Sequence, residues 1–199
     1  MKKLIPSAAL AIGAAILLSA CSGEDYNSTP YTAGKISDSV YTSEFFGMTA
    51  SFGDVWELKA AEERSGSALI EAMENNGYIT DLSAFNPETS ASVTIFVSLS
   101  SRNKQNYTEE ESMNSLLNAM RDEYSSGPYD LTHSSVNSLI FAGENHYSVD
   151  LAILHVGMDS LSYKRIVSVV HGDYVASVNI SSPDMDELEK ITDSFLAVS

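Results

Sequence analysis

Residues 144–180 read ENHYSVDLAILHVGMDSLSYKRIVSVVHGDYVASVNI, and this stretch decides the fold. Val, Ile, Tyr and Leu crowd both sides of Gly157-Met158-Asp159-Ser160, the composition of two strands around a turn. The spacing predicts one long hairpin from Glu144 to His171. His171-Gly172-Asp173-Tyr174 supplies a second tight turn, in which Gly172 can take a positive φ. Tyr174 to Ile180 then forms a third strand, and the three make an antiparallel meander.

Working upstream, strands are predicted at Tyr129–Ser135 and Ser138–Phe141. Before them lies the clearest helix signal. Thr108, with Glu111 three residues on, forms a capping box. Met113, Leu116, Leu117, Met120 and Tyr124 repeat as one apolar stripe, and Gly127-Pro128 ends it. Glu109, Glu110 and Glu111 fall in the first turn, where the helix dipole favours anions. This explains the acidic triplet better than a calcium site does. Strands are expected at Val40–Thr42, Phe46–Phe52, Tyr78–Phe85 and Ser92–Leu99. A further helix is predicted from Leu58 to about Asn75, on the spacing of Leu58, Ala61, Ala68, Leu69, Ala72 and Met73. Downstream, Pro183 opens a last helix with Met185, Leu188, Ile191 and Phe195 on one side. The fold class is therefore α+β: a mainly antiparallel meander sheet flanked by about three helices, in one domain over residues 40–199.

The N-terminal end has a different composition. Lys2 and Lys3 precede an apolar stretch from Leu4 to Leu18, too short for a membrane span, and Leu18-Ser19-Ala20-Cys21 follows. These residues resemble a bacterial lipoprotein signal. The resemblance implies cleavage after residue 20 and a lipid on the sulfur of Cys21, the single cysteine of the chain. Two or more acyl chains hold a protein stably on a membrane, where one does not. Residues 21–39 then read as the lipidated cysteine and a polar tether, about 60 Å long if fully extended. The expected location is the extracytoplasmic face of a bacterial membrane. Loss of Lys2 and Lys3 moves the formal charge from −16 to −18. Such a surface repels nucleic acid, whose binding rests on Lys and Arg at phosphates.

The order of elements, and the stretches Phe46–Trp56, His171–Ile180 and Ile191–Phe195, resemble the PsbP-like fold of extrinsic photosystem subunits and small bacterial lipoproteins. That family often carries a Pro-Asp-Gly-Trp turn. Here Gly53-Asp54-Val55-Trp56 keeps the Asp and the Trp. The resemblance implies an αβα sandwich and an accessory role by analogy. It transfers no catalytic residue.

The residues themselves offer little chemistry. There is no Gly-x-Ser-x-Gly, Gly-x-Gly-x-x-Gly, Walker loop or His-Glu-x-x-His. No cofactor is expected. If the long hairpin closes symmetrically about Met158 and Asp159, His146 faces His171, and Glu144 lies one pleat away on the same face. Two imidazoles and a carboxylate suit Zn²⁺ or Cu²⁺. The plainer reading, two surface histidines at a sheet end, stands against it. A one-residue change of register removes the pair.

The sequence thus points to a monomeric, non-catalytic envelope module, held on the membrane through Cys21 and able to meet an envelope partner. An enzyme with a dispersed active site and a metal-binding lipoprotein are the rivals. Replacing Cys21 with Ser should shift the protein from the membrane to the soluble fraction on cell fractionation. Retention equal to wild type would remove the anchor.

Overall fold

The computed structural model describes residues 31–60, 77–99, 108–125 and 127–198. Their elements run β1 (Lys35–Ser37), β2 (Val40–Ser43), β3 (Met48–Ser51), β4 (Glu57–Ala60), β5 (Ile79–Phe85), β6 (Ser92–Leu99), α1 (Glu109–Tyr124), β7 (Tyr129–Phe141), β8 (Glu144–His155), β9 (Ser160–His171), β10 (Tyr174–Ser182), α2 (Met185–Asp193) and β11 (Phe195–Ala197). All strand pairs are antiparallel. They form a seven-stranded sheet of order β4-β5-β6-β10-β9-β8-β7 and a four-stranded sheet of order β1-β2-β3-β11.

The two faces of the large sheet follow from the period of two along its strands. Val149, Leu151 and Ile153 of β8, with Ile166 of β9, bury against the stripe Met113, Leu116, Leu117, Met120 and Tyr124 of α1. On the opposite face, Val167 and Val169 of β9 join Ala176, Val178 and Ile180 of β10 and Val93, Ile95 and Val97 of β6. These meet Tyr41, Met48 and Ala50 of the small sheet and Leu188 and Ile191 of α2. The capping box is present: Glu111 N–H donates to Thr108 Oγ1 (3.2 Å) and Thr108 N–H to Glu111 Oε2 (2.8 Å). Asp184 caps α2 by accepting from the Glu187 amide at 2.8 Å. The chain then returns to pair β11 with β3, and Phe195 stacks on Phe141 at 4.8 Å.

The sequence reading needs correction in four places. Two helices, not three, flank the large sheet among the described residues, and a second sheet shares one face with α2, so the architecture is largely β. Leu58 lies in β4, where burial alternates as in a strand. Residues 61–76, the remainder of the helix expected there, lie outside the described residues, as do the signal segment and Cys21. β7 runs unbroken through Val136 and Asn137, because Asn137 has neither a Gly nor a Pro beside it and its amide donates across to Asp150 Oδ2 (2.9 Å). Finally, the chain is engaged before Val40: β1 pairs with β2 as Lys35↔Thr42 to Ser37↔Val40.

No helix among the described residues is long and apolar enough to cross a membrane. The α1 interface should dominate helix energetics. Met120 is fully buried, so Met120→Ala should cost about 2–5 kcal/mol in urea denaturation. Met185, 41 % exposed on α2, should cost within about 0.5 kcal/mol. Equal losses would mean that α1 is not packed as described.

Candidate functional site

The expected metal residues are not brought together. The β8–β9 turn is four residues long, and pairing starts at His155↔Ser160 and ends at Ser148↔Val167. That places the hairpin axis at Gly157-Met158, so every partner differs by two positions from closure about Met158 and Asp159. His146 instead opposes Leu139 of β7, Glu144 opposes Phe141, and His171 opposes Tyr174. His146 is buried and donates from Nδ1 to Glu109 Oε1 (3.2 Å). His171 is exposed, its ring 4.7 Å from that of Phe45. Among the described residues no three His, Cys, Asp or Glu side chains converge as a metal site.

The first turn of α1 has more to do than capping. Glu109 Oε1 also accepts the Tyr147 amide at 3.1 Å, so this carboxylate pins the helix start to β8. Glu111 accepts from the Thr108 backbone and hydroxyl, which hold its carboxyl below the usual range.

A second charged cluster fixes α2. Asp150 and Arg165 oppose one another on β8 and β9. Arg165 donates from Nε to Asp150 Oδ1 (2.9 Å) and from Nη2 to Oδ2 (3.0 Å). It also donates from Nη1 and Nη2 to the two Glu189 oxygens (2.8 and 2.9 Å) and from Nη1 to Thr192 Oγ1 (3.2 Å). A guanidinium has five N–H donors, and these five bonds use all of them. Burial works against the cation, but the carboxylates of Asp150 and Glu189 hold it protonated. Burial likewise raises the Asp150 carboxyl, yet Arg165 brings it below its ordinary value. A cavity of about 20 Å³ adjoins the cluster, lined by His133, Tyr163, Met185 and Leu188 among others. That is room for about one water. The His133 ring meets Ser135 Oγ at 3.0 Å.

The third cluster was not legible in the sequence. Asp81 of β5 is fully buried. Its Oδ1 accepts from the Tyr31 hydroxyl (2.6 Å) and the Gly34 amide (2.9 Å), and its Oδ2 accepts from the Tyr41 hydroxyl. A Cβ at Gly34 would run into the Tyr41 ring, so the segment can approach this closely only with glycine there. Burial, with Asp81 beside it, raises the Tyr41 hydroxyl well above its ordinary value. Around this anchor gathers a set of rings. Tyr31 lies 5.4 Å from Phe45 and 5.7 Å from Tyr174, and Phe45 lies 5.5 Å from Tyr174 and 5.0 Å from Phe46. In register, His171, Tyr174 and Leu99 form one row across β9, β10 and β6 at this end of the sheet.

An antiparallel seven-stranded sheet, with α1 on one face and α2 beside a small sheet on the other, has a known counterpart. The fold resembles that of PsbP. The solution structure of cyanobacterial PsbP (CyanoP) from Synechocystis superposes with a TM-score of 0.50 at 11 % identity, over 90 % of this chain and 98 % of that one. Two crystal structures align less closely. LpqN of Mycobacterium tuberculosis gives a TM-score of 0.42 at 13 % identity over 75 % and 82 % of the two chains. A protein of Bacteroides thetaiotaomicron gives 0.41 at 10 % identity over 80 % and 48 %. The sequence itself matches no family model and no curated protein.

The PsbP-like sheet also buries an amine. Lys164 is 2 % exposed on β9, opposite Leu151 and so on the α1 side. Burial pushes its ammonium down to about 8, against the pull of Glu123 on α1. Burial in turn raises the Glu123 carboxyl. Between pH 8 and the ordinary lysine value near 10.4, the unfolded chain holds a proton that the folded chain has released. Stability should therefore rise with pH in that window. Tyr41, Tyr78 and Tyr124, all raised by burial, act in the opposite sense once unfolded tyrosine ionises near pH 10. Urea denaturation should thus show stability rising from about pH 8 to about 9.5, and Lys164→Met should remove the rise. An unchanged slope in the variant would place the proton release elsewhere.

Proposed function

We propose that this chain is a lipid-anchored extracytoplasmic module of the cell envelope that binds or supports an assembly and carries out no chemistry of its own. One observation carries the reading: Arg165, Asp81 and Glu109 are spent on holding the fold. Arg165 has all five N–H groups bonded within the chain, Asp81 accepts three donors, and Glu109 joins helix to sheet. A catalytic site would aim such groups at a substrate, with room beside them. The cavity next to Arg165 holds about one water. The lipobox-like Leu18-Ser19-Ala20-Cys21 supports the anchor and the extracytoplasmic side. The acidic surface supports solubility and spacing from anionic headgroups.

Protease added to intact spheroplasts should degrade the chain without lysis. The Cys21→Ser protein should be found free of the membrane. Protection until lysis would contradict an extracytoplasmic site.

A further inference from the structure

Resting on the lipid anchor proposed above, we infer that the aromatic end of the sandwich — Tyr31, Phe45, His171, Tyr174 and Leu99 — docks against the membrane that holds Cys21. The length of chain between lipid and fold carries the argument. Asp81 holds Tyr31 and Gly34, so the length that counts runs from Cys21 to Tyr31 and not to residue 39. Nine residues lie between Cys21 and Tyr31, and the ten steps of chain reach at most about 36 Å. Tyr31, the first described residue, packs directly on Phe45 and Tyr174, so the length of chain back to Cys21 is counted from within the aromatic rim.

The far end of the molecule lies out of reach. β9 spans Ser160–His171. At about 3.4 Å per residue, the β8–β9 turn lies about 40 Å from His171. Standing on that turn, the domain would lift Tyr31 beyond the reach of its own linker. Standing on the aromatic end needs no stretching. The surface there suits an interface between water and hydrocarbon. Leu99 is 55 % exposed at the end of its strand, Phe45 and Tyr31 are half-buried, and Tyr174, half-buried as well, pairs an apolar ring with a polar tip. Among the described residues, Lys35, Glu44 and Asp173 are the charged ones nearest the rim in sequence and register. With both signs present, contact depends on the apolar groups and not on anionic headgroups. Tethering makes the patch's encounter with the membrane intramolecular, at millimolar effective concentration, so weak contacts suffice.

The test uses the lipidated protein in phosphatidylcholine vesicles carrying doxyl-labelled lipid. With Cys21 occupied by lipid, a thiol-reactive fluorophore reports one introduced site at a time, Glu44→Cys beside the rim or Met158→Cys at the far turn. Both positions are exposed. The Glu44 label should be quenched several-fold more than the Met158 label. Adding Phe45→Ala, or Leu99→Ser if Phe45→Ala does not fold, should bring it towards the Met158 level while the protein still floats with the vesicles. Equal quenching of the two labels in floating protein would overturn the docking and leave the anchor standing. Quenching at Glu44 that survives the folded rim variant would also overturn it, since the rim would then contribute nothing. Failure to float would overturn the anchor itself, and the docking with it.

Discussion

The Asp81 carboxylate is the constraint on which the rest depends. A buried charge is tolerated only when hydrogen bonds replace its water. Here the donors come from three points of the chain: a hydroxyl and an amide from residues 31–34, and a hydroxyl from β2. Removing any one leaves the carboxylate short of a partner in the interior, a cost of about 1–3 kcal/mol. The geometry therefore fastens the entering segment and the small sheet to β5 together. The aromatic rim, the position of Tyr31 and the short reach back to Cys21 all follow from that attachment.

The same device recurs at each layer. Apolar contacts bring α1, α2 and the small sheet onto the two faces of the large sheet, but apolar contacts are non-directional. One charged group then sets each placement. Glu109 holds the start of α1 to His146 and Tyr147. Arg165 holds α2 through Glu189 and Thr192, itself oriented by Asp150. Asp81 holds the small sheet through Tyr41. Without a disulfide to fix relative positions, these three clamps supply the directionality.

What could be read from the sequence was local. The β8–β9 hairpin, the Gly172 turn, the capping box and the α1 stripe depend on residues within a few positions of one another, and each is found, whereas Phe195, read as part of the α2 stripe, lies in β11. What could not be read depends on distant partners. Tyr31 and Gly34 sit in a polar stretch with the composition of a tether, and their partner Asp81 lies about fifty residues away. Nothing near them in sequence signals the bond. The register error at His146 and His171 came from the turn. Its centre is Gly157-Met158, and a shift of two keeps every face while removing the opposition on which the metal reading rested. Ala142-Gly143, which joins β7 to β8 with both φ angles positive, lacks the Asn or Asp that marks such turns.

The Gly34 amide tests the central claim most directly. It is a backbone donor in a segment of turn-like composition, and its recorded partner is the buried Asp81 carboxylate at 2.9 Å. Native-state hydrogen exchange followed residue by residue should show Gly34 protected to the level of the β5 and β6 amides, opening only with the domain. Exchange of Gly34 at the rate of an open loop, while β5 stays protected, would contradict the clamp and free the N-terminal segment from the fold.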